Sequence, residues 1–441
     1  MADVTFLADG GMDFAVRCVL SGAPYATAEP GEVLAVLADV VDGDARSWRD
    51  AWVGRGRALA AAARSDAAAG RRRSACGTAL RAANYLFAGN YYAPACTDAA
   101  GARAVWAEHR AAWDLAVDCW PTPASAVAIE TPAGRLPGYW FGGAAPPGER
   151  RPVVVLVGGI ETPMSDAPMT GLTDALDRGY RVLLVDGPGQ GAALYGGGLA
   201  LAPRWDDVWP AVLDWVAAHP GVDAGRVTLI GINHGGLWAG QGAAVAGDRV
   251  AALVLDPAVT GLVDDVLASL PDDLATLWRE QPGALDAAVA ERAATDPDLA
   301  FWAAKTVDPF SATPAGEQDG SGAADRPDDG AGAGAEAGPD TTTRAGAGGG
   351  AETLGAALDR LAAAVLTADD LAAITCPTLV CVAEEASAFV GQHEPVLAAL
   401  GDRATRLDFT TAEGAGLDCE IGAPQVRNAR VYDALDALCS T

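Results

Sequence analysis

Lysine is almost missing from this chain. Of its 30 basic residues one, Lys305, is a lysine, and only four histidines join them: His109, His219, His234 and His393. Against these stand 58 acidic residues, for a net charge of −28. Such a chain has no basic face to offer nucleic acid or an anionic membrane, so neither is expected as a partner. No run approaches the roughly 18 apolar residues of a membrane span. The N-terminus, MADVTFLADGGMDFAV, has neither a basic region nor a long apolar core, so a secretory signal is not expected and a cytoplasmic location is. The eight cysteines (Cys18, Cys76, Cys96, Cys119, Cys376, Cys381, Cys419, Cys439) form no C-x-x-C pair and have no histidines at ligand spacing. They read as reduced core fillers. Neither a metal site nor a cofactor is expected.

What is present falls into zones. Residues 1–125 are rich in Ala and Trp with apolar positions at helical spacing, as in GEVLAVLADVVDGDARSWRDAWVGRGRALAAAARS, and predict a helical N-terminal domain. Its aromatics (Trp48, Trp52, Tyr85, Tyr91, Tyr92) read as packing that knits helices together. From 126 the period changes. AVAIE, PGYWF, VVVLVGG, RVLLVDG, RVTLIG and AALVLD are short β-rich runs, most ending in Gly or Asp, with helical stretches such as WDDVWPAVLDWVAAHP between them. Apolar strands alternating with helices predict an α/β fold, a mostly parallel sheet covered on both faces. The core is expected over 126–310, with a helical insertion after 257, and again over 356–441. Between them, 311–355 is Gly, Ala and Asp-rich and reads as a disordered linker. Ligands in such sheets sit at the carboxyl ends of the strands. Those ends carry GGIETPMSD, DGPGQG, GINHGG and LDPAV.

GINHGG has the layout of a nucleophile elbow, G-x-S-x-G, in which a strained strand-to-helix turn lifts a serine above the sheet. Here Asn233 holds the serine's place. Taken in order, GGIETPMSD, RGYRVLLVDGPGQG, VWPAVLDWVAAHPGVDAGRVTLIGINHGG, CPTLVCVAEEASAFVGQHE and FTTAEGAGLDCEIGA resemble the α/β-hydrolase group that includes 2,6-dihydropseudooxynicotine hydrolase and the enzymes that shorten polyketide chains. The resemblance covers nearly the whole chain. It implies an α/β-hydrolase fold with a helical cap domain, a homodimer formed through that domain, and a carbonyl-rich small molecule as substrate. It also implies a Ser-His-Asp triad, and carrying that triad over residue by residue finds all three positions changed. The nucleophile falls on Asn233, the acid on Ala386 in AEEASAF, and the histidine on Asp418 in EGAGLDC. No histidine follows His393 to take over.

An amide has no proton to lose near neutral pH, so Asn233 cannot form an acyl-enzyme. Three coordinated losses also argue against an engineered single change. The turn is still expected to aim the His234 backbone N–H into a pocket, with a second donor from Ile160 or Glu161 beside Gly159, together polarising a carbonyl oxygen. Asn233 either adds a side-chain N–H to that oxygen or merely tolerates the left-handed backbone of the elbow. Asp418 stands where a general base belongs, unless it is a solvated loop residue. Glu161 is a second acid–base candidate or an arginine's partner. His234 either packs or faces the cavity, where it would titrate near neutral pH. Asp256, closing AALVLD, is a candidate relocated acid. Cys419 reads as packing, and Asp186 in VDGPGQG as a cap on its own loop. The expected protein is an enzyme that holds an enolate and moves protons: a cyclase, isomerase, dehydratase or carbon–carbon lyase. The alternatives are a catalytically silent binding protein and a hydrolase in which a carboxylate activates water.

Overall fold

The computed structural model describes residues 4–143, 146, 148–311 and 352–439. Most of the linker expected at 311–355 therefore lies outside the described residues. Every apolar run singled out above forms a strand: β1 (Ala124–Thr131), β2 (Gly134–Phe141), β3 (Arg151–Val157), β4 (Arg181–Val185), β5 (Val222–Ile232), β6 (Ala252–Asp256), β7 (Thr378–Ala383) and β8 (Ala404–Phe409). They make one sheet in the order β1-β2-β4-β3-β5-β6-β7-β8. The β1–β2 hairpin and its β2–β4 junction are antiparallel, and β4 through β8 run parallel.

The strands divide their side chains by alternation, as a two-faced sheet requires. Val153, Val155, Leu229, Leu253 and Val380 face one core, together with the helices Val208–Ala218 and Gly235–Ala246 and the insertion. Val154, Leu156, Ile230, Val254 and Leu379 face the other, which they share with the N-terminal helices and the last helix, Pro424–Cys439. The N-terminal helices thus share a continuous apolar core with the sheet. Within them, Trp48 and Trp52 are buried 5.5 Å apart, and the Trp48 indole N–H donates to the Ala88 carbonyl at 2.8 Å. The two long helices Ala45–Ala68 and Arg72–Asn90 approach so closely that a Cβ on Gly89 would stand 2.8 Å from Val53 Cγ2.

The insertion after β6 is helical, with helices at Val263–Ala268, Asp272–Glu280, Pro282–Ala293 and Pro297–Val307. Its last helix returns to the N-terminal helices, where Phe301 stacks on Tyr92 with ring centroids 5.4 Å apart. This contact joins insertion and N-terminal helices over the carboxyl edge of the sheet.

Candidate active site

The glycines around Asn233 explain why the elbow forms. A Cβ on Gly235 would sit 2.2 Å from the Val157 carbonyl oxygen, and one on Gly236 2.2 Å from that of Pro257. Only a bare backbone lets the helix Gly235–Ala246 start so close to β3 and β6. Between strand and helix, Asn233 is held at φ +56°, in the left-handed region that asparagine tolerates better than most residues. Its N–H donates to the Asp256 carbonyl at 2.7 Å, which ties the elbow to the end of β6.

The elbow opens on a cavity of about 620 Å³ between the sheet edge, the N-terminal helices and the insertion. That volume suits a drug-sized molecule. Phe14, Phe87, Tyr92, Phe301 and Trp302 supply its aromatic walls. Its floor is acidic.

The expected oxyanion donor is not free. The His234 backbone N–H donates to Oδ1 of Asn233 at 2.7 Å. A serine hydroxyl would leave that N–H open, whereas the longer amide folds back and caps it. Asn233 Nδ2 has no partner among the described residues, so the donor the elbow offers the cavity is the side chain's own amide. Gly159 packs on Asn233 and on the His234 ring, and Ile160 packs against the apolar core; neither lines the cavity. The His234 ring also lies outside its lining. Its Nδ1 is buried without a hydrogen-bond partner among the described residues, Phe389 packs edge-on at 5.3 Å, and burial pulls the ring's pKa below its ordinary value.

Each acidic candidate is engaged. Asp418 lines the cavity, but its carboxylate accepts from Ser387 N at 3.0 Å, Ser387 Oγ at 2.6 Å and Ala388 N at 3.1 Å. It joins the same two loops that a His–Asp hydrogen bond would join in a triad. Glu161, an acid–base or substrate-hydroxyl candidate with an arginine's partner as the alternative, forms an ion pair with Lys305, the chain's single lysine. That ammonium also lies 3.5 Å from the Tyr91 ring centroid, in cation–π contact. Asp256 is buried and bound to Arg427 Nε at 2.6 Å, so it is half of an ion pair and not an isolated acid. Asp186 accepts from Ala192 N at 2.7 Å and caps its loop. Cys419 packs, with its thiol on the Asp256 carbonyl at 3.4 Å and its pKa pushed up by burial.

Three residues that sequence reasoning passed over complete the floor. Arg427 also donates to the Thr170 carbonyl at 2.8 Å and to Asn428 Oδ1 at 2.6 Å. Glu420 is buried 3.8 Å from Arg427 Nε, and neither of its carboxylate oxygens meets a donor among the described residues. Burial, and then the adjacent Asp256 carboxylate, push its pKa well above the ordinary carboxylate range. Cys419 and Glu420 sit at φ +51° and +52°, two successive non-glycine residues in the left-handed region, which turns Glu420 inward. The third is Asp166, the last residue of GGIETPMSD. It lines the cavity, its carboxylate has no partner among the described residues, and burial raises its pKa to about 7. Arg427 could have been suspected from sequence: with Val431 and Leu435 it marks one face of the last helix at i, i+4, i+8, and a buried arginine needs a carboxylate. Nothing in the sequence marked Asp166 apart from the other carboxylates.

No family model matches the chain. Among solved structures, 2,6-dihydroxy-pseudo-oxynicotine hydrolase superposes with a TM-score of 0.65 over 94% of each chain, at 17% identity. Among curated proteins, the hydrolase acrC of Aspergillus aculeatus is 34% identical over 279 residues, covering 59% of this chain and 64% of the relative. The 20-hydroxy-prefusarin hydrolase FUS2 of Gibberella moniliformis is 32% identical over 237 residues, covering 49% and 54%. The chain thus spans less than two thirds of the length of these curated relatives. Its fold is that of the α/β hydrolases. No helix among the described residues is long and apolar enough to cross a membrane.

Proposed function

We propose that the chain is an enzyme of secondary metabolism that binds a ketone-rich, polyketide-like or aromatic small molecule in the 620 Å³ cavity and moves protons on it without forming an acyl-enzyme. One observation carries this reading: an asparagine stands at the tip of an intact elbow, its amide open to an aromatic-walled cavity with carboxyl groups on its floor. An amide can hold a carbonyl oxygen but cannot attack it. The chemistry that fits is cyclisation, isomerisation, dehydration or non-covalent carbon–carbon cleavage. The curated relatives bear hydrolase names, which suits an enzyme of this superfamily. A second reading, a silent binding protein, draws support from the capped His234 N–H and the engaged Asp418.

The test is mass spectrometry of β-diketones and β-ketoesters incubated with the protein, alongside intact-protein labelling by a fluorophosphonate. Conversion at unchanged mass or with loss of water, and no labelling, is expected. Stoichiometric labelling would restore a nucleophilic hydrolase, and ligand retention without conversion would leave the binder.

A further inference from the structure

Seven carboxyl residues line the cavity, and their surroundings separate them. Asp9 caps its helix by accepting from Met12 N at 2.8 Å, and Asp298 is exposed in the first turn of the Pro297–Val307 helix. Glu161 belongs to Lys305, Asp256 to Arg427, and Asp418 to the Ser387–Ala388 backbone. Glu420 is shut away behind Asp256, its oxygens out of contact with solvent. Only Asp166 combines a half-buried position on the cavity with a carboxylate that no donor or cation engages among the described residues.

The segment that carries Asp166 is fixed. Its turn, Met164–Asp166, leads into residues held from the C-terminal helix, where Arg427 donates to the Thr170 carbonyl and Asn428 Nδ2 to that of Met169. From the helix Gly10–Ser21, Cys18 lines the same cavity as Asp166 and Asp418. Burial alone pushes up the Asp166 carboxyl, and no neighbouring charge contributes.

On the functional reading above, we propose that Asp166 is the catalytic base of this cavity and that Asn233 Nδ2 holds the ligand's carbonyl oxygen, for ligands with an acidic C–H beside a ketone, 1,3-dicarbonyl compounds first among them. The Asp166 carboxylate takes the α proton. The C–H electron pair becomes the carbon–carbon double bond of the enol, and the carbonyl π pair moves to the oxygen held by the amide. Asp166 is left as the neutral acid and returns a proton to carbon or oxygen to close the cycle. Asp256 and Glu161 are each paired with a cation, which reduces the repulsion on the developing enolate, while Asp418 faces it with neutral donors only.

The probe is benzoylacetone in D₂O, with deuterium uptake at its central carbon followed by NMR. Wild-type protein should accelerate exchange over buffer, with a rate that rises as pH passes about 7. Asp166→Asn should lose on the order of 100-fold. Asp166→Glu, which keeps the carboxyl, should retain part of the rate, and this guards against a folding defect in the asparagine variant. Asn233→Ala should be slower with the same pH midpoint. Equal exchange by wild type and Asp166→Asn would overturn the assignment of Asp166 while leaving an acid–base enzyme. No acceleration by wild type would overturn both. The pH dependence of unfolding still separates the cases: a wild-type profile identical to that of Asp166→Asn would mean that the carboxyl is not desolvated at all.

Discussion

Two aspartates line one cavity and have opposite surroundings. Asp418 lies at the position to which the family resemblance carries a triad histidine, and its carboxylate is filled by two backbone N–H groups and a hydroxyl. Asp166 closes GGIETPMSD, where chemical roles were expected of Ile160 and Glu161 and none of Asp166, and no donor reaches its carboxylate among the described residues. A carboxylate satisfied by several donors is held in place with its lone pairs occupied; one buried without any keeps its lone pairs for a ligand and gives up its proton late. Position in a motif pointed to Asp418, and hydrogen bonding sets the two aspartates apart. The wall behind them follows the same rule, with Asp256 fixed by Arg427 and Glu420 left facing it.

Removing the cation should cost the most. Arg427→Ala leaves Asp256 buried beside Glu420 and is expected to destabilise the fold by about 3–5 kcal/mol in chemical denaturation. Asp166→Asn comes next and acts in the opposite direction. A carboxyl raised from 3.8 to about 7 by folding binds its proton more tightly in the folded state, so its stabilisation is present below about pH 4 and is lost as pH rises to 7. The asparagine variant should match wild type near pH 4 and exceed it above pH 7, by at most about 4 kcal/mol from the roughly 1.4 kcal/mol that each pH unit represents. Thermal melts across that range check the sign. Asp418→Ala should lower stability at neutral pH by about 2–3 kcal/mol, because it strands the Ser387 and Ala388 N–H groups. The smallest change, Ser387→Ala, removes one hydroxyl donor and should cost about 1 kcal/mol, leaving the Asp418 contacts to backbone in place.

The centre of the sheet was legible because β3, β4, β6 and the second half of β5 are apolar runs ending at Gly or Asp, a pattern that burial on both faces dictates, whereas the edge strand β8 alternates exposed polar residues. RVLLVDG and AALVLD needed no context to be placed. The elbow was legible because its glycines are forced by backbone contacts of 2.2 Å, which no other residue survives. The chemistry of the floor was much less so. Lys305 reaches Glu161 and Arg427 reaches Asp256 across more than a hundred residues of sequence, and such pairings follow from topology and not from local pattern. The capped His234 N–H follows from one extra bond in the Asn233 side chain, a matter of reach that the letters of the elbow do not express. Asp166 is defined by what fails to meet it, and an absence of partners leaves no trace in sequence.

The comparison of the two aspartates rests on one titration. Carbon-13 NMR of aspartate carboxyls, assigned by Asp166→Asn and Asp186→Asn, should show two raised groups in the wild-type protein, Asp186 at about pH 6 and a second at about pH 7 that vanishes in Asp166→Asn. If no aspartate but Asp186 titrates near neutrality, or if the group at about pH 7 survives Asp166→Asn, the cavity has no free base at this position and the account of its chemistry is wrong.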